Sequence, residues 1–251
     1  MKPKKALLYL VLLFLLIPIS GCVFLRLLEV KRQLNDFDSY FRINDQKGFT
    51  ITFLKPVLHT DDVLWIAKRP PTSKEENGQV EVWTYLFEKD YKGPKDEDGN
   101  FDLPIAMSFE KDKLSEIRFP DRFLKALSKP LLAKMFRSMG NAEISKWNRT
   151  ASSMFQGMDS LEIPKREQIA MILGKPFETK DDKQDPMFTY RYGLKNSASN
   201  LNAKVFNLFM MFTFAQADQR LLKVQGNFSR LKVSMDFAVN ESDGTKNGKS
   251  K

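Results

Sequence analysis

Hydrophobic and polar residues alternate in several segments of the middle of the chain, and this alternation predicts short, half-buried β-strands. Two of these segments carry an aromatic side chain at every second position. The aromatic sets are Trp83, Tyr85 and Phe87 in one segment and Phe188, Tyr190 and Tyr192 in the other. Aromatic strand faces usually form a protein core, and these two sets would line the concave face of a sheet if that face were open.

Each aromatic strand follows a short helical pattern and precedes two further strand patterns. The first helix ends before Pro70, and the second ends at Leu173–Pro176. Equivalent positions of the two copies lie 105 to 107 residues apart; they are Val63 and Ile169, Ile66 and Ile172, Phe109 and Phe214, and Leu114 and Leu221. Such a spacing predicts an α+β fold made of two tandem α-β-β-β units with antiparallel sheet, packed as one continuous sheet or as two abutting sheets.

Helical patterns also lie outside the two copies. An apolar stripe at helical spacing predicts an amphipathic N-terminal helix, packed on its own domain or docked onto a partner helix. Its members are Leu27, Val30, Leu34, Phe37 and Phe41. Residues 120–139 predict extra helices between the units, which Pro130 should break or kink.

These patterns divide the chain into six segments. They are a lipoprotein signal peptide at 1–21, a tether with amphipathic helix and leading strand at 22–56, a first unit at 57–119, a helical insert and linker at 120–160, a second unit with a final strand at 161–238, and a disordered tail at 239–251.

The N-terminus predicts export and lipid attachment. Three lysines precede the unbroken apolar run Ala6–Ile17, which is the layout of a secretory signal. The order Ile19-Ser20-Gly21-Cys22 looks like a bacterial lipobox, in which the Cys22 thiol takes a diacylglyceryl group and its amine is acylated, for example by palmitate, after cleavage. We therefore predict a lipid-anchored lipoprotein of the cell envelope.

Two membranes could receive this anchor. Val23 stands after the cysteine where Gram-negative sorting patterns use Asp for retention, and this favours the periplasmic face of the outer membrane. The alternative is an uncleaved helix, Ala6–Leu25, in the inner membrane; its 20 residues are long enough to span, although Pro18 and Gly21 weaken it.

Composition removes most enzyme chemistries. The 251 residues include one cysteine and one histidine, too few for a disulfide framework or a Cys/His metal site, and no phosphate-binding glycine loop or nucleophile elbow is present. The net charge of +9 is not arranged in a basic block interleaved with aromatics, so we expect no nucleic-acid partner. We expect no catalytic residue, no cofactor and no metal.

Two segments come nearest to a catalytic or metal-binding motif. His59 precedes Thr60-Asp61-Asp62, which is typical of a loop histidine beside a helix cap rather than of a catalytic one. The acidic stretch Asp96–Asp102 resembles a calcium loop but has Phe101 at its sixth position and Met107 at its twelfth, where Gly and Glu are required.

The strand pattern at 206–214 is apolar on both faces. One face is core, and Phe209 and Met211 make the other face apolar as well. Such a strand is either covered on both sides, here by the 120–139 segment, or exposes a patch for a protein or acyl chain. We name Phe209 and Met211, with the two aromatic sets, as the candidate binding face.

A lipobox, a helix ending in Leu-Gly-Lys-Pro, an aromatic strand and a Phe-led hairpin together resemble the SmpA/OmlA family of BamE-like outer-membrane lipoproteins. The resemblance covers about residues 57–119 and 161–226 and implies the duplicated unit of the β-lactamase inhibitor protein-like fold. It also implies non-enzymatic protein binding or assembly in the envelope. A carrier or sensor of a small apolar ligand or lipid is the alternative function.

Overall fold

The computed structural model describes the chain in nine stretches. These are residues 18–46, 48–90, 102–125, 127–145, 149–158, 163–181, 185–194, 206–229 and 231–239. Most of the predicted signal peptide, at 1–17, the calcium-like loop up to residue 101 and the predicted tail from residue 240 onward lie outside the described residues.

The described residues form five α-helices, one 3₁₀-helix and thirteen strands. The helices are α1 (Pro18–Asn35), α2 (Phe37–Tyr40), α3 (Thr60–Ala67), α4 (Lys129–Gly140) and α5 (Arg166–Leu173), with the 3₁₀-helix at Asp121–Lys125. The strands are β1 (Phe41–Asn44), β2 (Phe49–Phe53), β3 (Ser73–Asn77), β4 (Val80–Lys89), β5 (Leu103–Glu110), β6 (Lys113–Phe119), β7 (Glu143–Ser145), β8 (Thr150–Met158), β9 (Glu178–Lys180), β10 (Met187–Leu194), β11 (Phe206–Phe214), β12 (Leu221–Phe228) and β13 (Leu231–Val239).

All strands of the described chain join one large mixed sheet, so the predicted fold of two tandem α-β-β-β units with antiparallel sheet is wrong. The order is β1-β2-β6-β5-β4-β10-β11-β12-β13-β8-β7, with β3 beside β4 and β9 beside β10. Strands β4 and β10, assigned to different units, pair directly, and Lys89 lies opposite Tyr192. Strands β13 and β8 run parallel, which makes the sheet mixed.

The physical reason for this difference is that a strand pattern does not specify the strand's partner. Two separate small sheets would leave unpaired N–H and C=O groups along the facing edges of β4 and β10, and pairing them satisfies those groups. Strand β8 was not predicted at all, because Thr150–Met158 is rich in small and polar residues and falls in the segment assigned to a helical insert and linker.

The core lies between the helices and one face of the sheet, which we call the inner face. Buried residues of the inner face include both aromatic sets together with Phe212, Phe214, Met235 and Phe237. Helix α3 adds Val63 and α5 adds Ile169 and Ile172 to the same core cluster. Each large apolar side chain buried in this way contributes about 1.5–3 kcal/mol of transfer free energy.

Helix α1 packs on its own domain rather than projecting toward a partner. Leu27, Val30 and Leu34 of the predicted stripe lie against the core cluster, and the helix contacts α4 along its length. The two helices approach so closely that a β-carbon on Gly140 would lie 2.3 Å from the backbone nitrogen of Asn35. Residues 120–139 are broken into the 3₁₀-helix and α4, which is one of the two forms of the Pro130 prediction. Pro130 itself lies in the first turn of α4, where Ser128 accepts a hydrogen bond from the Leu131 N–H.

Candidate functional site

The two aromatic sets are interior residues. Tyr190 and Tyr192 are 0% exposed, and no member of either set exceeds 6%. Tyr85 donates a hydrogen bond to the carbonyl of Arg69 just after α3, and Tyr190 donates one to the carbonyl of Gly174 just after α5. Burial raises the pKa of both tyrosines well above the ordinary value. Tyr85 and Tyr190 thereby hold the ends of α3 and α5 against the sheet, and all six aromatic side chains lie in the interior.

Some of the same aromatics border an internal cavity. It measures about 250 Å³, lies between α3 and the inner face, and includes Tyr85 and Phe87 in its wall. Its other wall residues are all apolar: Leu58, Val63, Ile66, Ala67, Ile105, Met107, Leu114, Ile117, Leu208 and Phe228. A pocket with a wholly apolar lining is suited to a small apolar ligand.

Phe209 and Met211 occupy the opposite, outer face of the sheet. They line a shallow groove of about 540 Å³ that runs across β11, β12, β13 and β8. No residue of α4 lines this groove within the described chain, so the 120–139 segment does not cover the strand as one prediction proposed. The remaining lining mixes cations with uncharged polar groups: Thr150, Ser152, Thr189, Lys223, Gln225, Asn227, Lys232 and Ser234 among them.

A second groove lies beneath α1. It measures about 400 Å³ and is walled by α1 on one side and by β7 and the adjoining ends of β8 and β13 on the other. Sequence reasoning did not find it, because its walls come from segments more than 100 residues apart. The apolar stripe of α1 was the one signal that pointed toward it.

Helix α1 is fixed by an ion pair in the domain interior. The Arg26 guanidinium makes two hydrogen bonds to the Asp62 carboxylate of α3, at 2.5 Å through Nε and 2.6 Å through Nη2. Asp62 is fully buried, and its Oδ2 also accepts the backbone N–H of His59 at 2.8 Å. Cys22 lies in α1 one helical turn before Arg26.

His59 is bound into a contact with the turn between β5 and β6. Its Nδ1 lies 2.9 Å from Oδ2 of Asp112, in the turn between β5 and β6. The Thr60 hydroxyl donates to the other oxygen of that carboxylate rather than to the imidazole. Hydrogen bonds from Thr60 and then His59 hold the pKa of Asp112 below its usual range. The contacts of His59 and Thr60 with Asp112 fasten the start of α3 to the β5–β6 turn.

Lys89 is a buried cation that sequence reasoning missed. It is 1% exposed, and its Nζ donates to the carbonyl of Leu173 at the end of α5. Burial, together with the nearby positive charge of Arg122, lowers the pKa of Lys89 to about 8. The signal was present in the sequence, since Lys89 continues the inward-facing series that starts at Trp83. An ammonium at a helix C-terminus is a stabilising arrangement.

The part of the chain described here contains no cluster of metal-ligating side chains. Among these same residues, no helix is both long enough and apolar enough to cross a membrane.

No protein-family model matches the chain, and no curated protein or solved structure matches it either.

Proposed function

We propose that this chain is a lipid-anchored protein of the bacterial envelope, attached through Cys22 and acting as a non-enzymatic protein-binding or assembly module. The lipobox order before Cys22 supports the anchor, and export signals of this kind direct the chain outside the cytoplasm. The periplasmic face of the outer membrane is the proposed location. The assembly role agrees with what the resemblance to BamE-like lipoproteins implies, and that resemblance stays a prediction.

The groove on the outer face of the sheet carries the binding proposal. Phe209 and Met211 provide apolar surface at its floor, and Lys223, Gln225 and Lys232 supply charged and polar groups beside them. Protein interfaces combine an apolar centre with a polar margin in this way. Met154, on the same face of the adjoining strand β8, is 62% exposed and extends the apolar surface.

A photocrosslinking amino acid placed at Met211 should capture one protein of defined mass in intact envelopes, whereas the same amino acid at Glu75 should not. Glu75 is the matched control because it is also on a strand of this sheet and exposed, but lies away from the groove. The adduct should weaken when Lys223→Glu is added in the same chain. Equal capture from both positions, or capture that Lys223→Glu leaves unchanged, contradicts the proposed interface.

Replacement of Cys22 by Ser tests the tether separately. The variant should leave the membrane fraction and should lose labelling by a palmitate analogue, because the acylated thiol and the cleavage site are both removed. One acyl chain binds membranes only marginally and two or more anchor stably, so the loss should be nearly complete. Membrane retention without any label in the wild type would instead support the uncleaved inner-membrane helix.

A carrier or sensor of an apolar ligand is the second candidate function. The cavity beneath α3 favours it, since every wall residue is apolar and the one polar group, the hydroxyl of Tyr85, is already bound to Arg69. Ligand sites in proteins range from about 300 to 1,000 Å³, so this cavity lies just under the range for small ligands.

A further inference from the structure

The groove beneath α1 is long, narrow and apolar. Phe24 and Leu34 mark its two ends on the helix, which corresponds to about 15 Å at 1.5 Å per residue. The opposite wall consists mainly of Ala142, Ile144, Ala151, Leu231 and Val233. Its volume of about 400 Å³ falls within the range of small-molecule sites.

Three cations line the same groove. They are Lys31 of α1, Arg149 just before β8, and Lys232 of β13, and no acidic residue is among the lining. Within the described residues none of the three forms an ion pair. A groove that combines an apolar wall with unneutralised positive charge is complementary to an anion that carries a hydrocarbon chain.

The polar groups in the groove are too few for a peptide. A bound peptide would bring backbone N–H and C=O groups that need partners, and an unsatisfied one costs free energy when buried. A hydrocarbon chain brings no such groups. Ile144 and Val233, which line the wall opposite α1, are 38% and 37% exposed, so the groove also has apolar surface at its margin.

We propose that the groove binds one long acyl chain with an anionic headgroup, such as a fatty acid. The chain lies along α1 between Phe24 and Leu34, and the carboxylate is held by Lys31 and Arg149. This inference rests on the carrier function given above as the second candidate, and it names the ligand class. The groove starts two residues after Cys22, so a chain tethered there would present the groove beside the membrane.

The test uses the full chain in isolated cell envelopes and a palmitate that carries a photoreactive diazirine on its alkyl chain. After irradiation, crosslinked peptides should map to α1 and to β8 or β13. Unlabelled palmitate should compete about tenfold better than hexadecanol, which has the same chain and no charge. A sample kept in the dark separates crosslinking from acylation at Cys22.

Two variants make the test specific. Lys31→Glu should weaken palmitate labelling about tenfold, since it reverses one of three charges, whereas Lys175→Glu on an exposed position outside the groove should leave labelling unchanged. Ala151→Phe should block labelling by filling the groove. Thermal unfolding of both groove variants checks that each is folded, and Lys31→Glu, which removes no core contact, serves if Ala151→Phe fails to fold.

Three outcomes overturn the proposal. Hexadecanol could compete as well as palmitate, labelling could survive Lys31→Glu, or the probe could react only at Cys22. Crosslinks at Ile66 or Met107 would place the ligand in the cavity beneath α3; the groove proposal would then fail while the carrier function would stand. Capture of protein at Met211 with no palmitate labelling would remove the carrier function and leave the binding module.

Discussion

Replacing Asp62 by Asn should lower the free energy of unfolding by about 3 kcal/mol. The carboxylate is fully buried and accepts two hydrogen bonds from Arg26 and one from the backbone of His59. An asparagine of the same shape turns an NH₂ group toward the guanidinium or the amide, so donors face donors, and it leaves the Arg26 charge without its counter-charge. Breaking one side of such a pair typically costs 3–5 kcal/mol, and the partial exposure of Arg26 places this case at the low end.

Urea unfolding of the purified variant measures the effect, and Asp61→Asn is the matched control. Asp61 is the neighbouring, exposed carboxylate of the same helical turn, so its replacement should change stability by less than about 0.5 kcal/mol. Replacing both partners, as Arg26→Met with Asp62→Leu, should recover much of the loss because no unpaired charge remains. Equal effects of Asp61→Asn and Asp62→Asn would show that the buried pair is not the cause.

Replacing Gly140 by Ala should destabilise the protein by about 3 kcal/mol, the upper end of the range for overpacking. The added methyl group would lie 2.3 Å from the Asn35 nitrogen and 2.5 Å from its Cα, well inside contact distance. Both atoms are backbone, so relief requires moving α1 away from α4 rather than rotating a side chain. Alanine favours helix by roughly 1 kcal/mol over glycine, which offsets only part of the clash.

Gly226→Ala is the control for this substitution, because a β-carbon there meets no atom within 4 Å. Glycine weakens strand interiors, so Gly226→Ala should be neutral or slightly stabilising. The midpoints of thermal unfolding should therefore move in opposite directions or differ by many degrees. A Gly140→Ala variant as stable as the wild type would show that α1 and α4 can separate at no cost.

These two sites fix α1 at two points, with Arg26 at its middle and Asn35 at its end. The predicted anchor at Cys22 and the wall of the proposed acyl-chain groove both belong to that helix. A variant that loosens either contact should therefore also weaken palmitate labelling in the groove, while the outer-face groove, built from strands alone, should keep its crosslink at Met211.

Local sequence patterns predicted the strands and their buried faces because side chains alternate across a strand whatever its neighbours are. Trp83, Tyr85 and Phe87 are buried as an aromatic strand face usually is, and Val63 and Ile169 lie on the buried sides of short helices. Phe209 and Met211 lie on the opposite side of their strand from the buried Phe212 and Phe214, because odd- and even-numbered positions of a strand face opposite sides of the sheet. The predicted lipobox at Ile19–Cys22 likewise rests on a local order of residues, which the sequence shows by itself.

Only the tertiary structure decided which strands are neighbours, and with that the sites themselves. The pairing of β4 with β10 and the parallel pairing of β8 with β13 depend on backbone hydrogen bonds, which every residue but proline can make and which no side-chain pattern specifies. The ion pair of Asp62 is a second example, because its partner Arg26 lies 36 residues away in the chain and no local pattern links the two. The groove beneath α1 has the same origin, because its apolar wall and its three cations come together only when the chain folds.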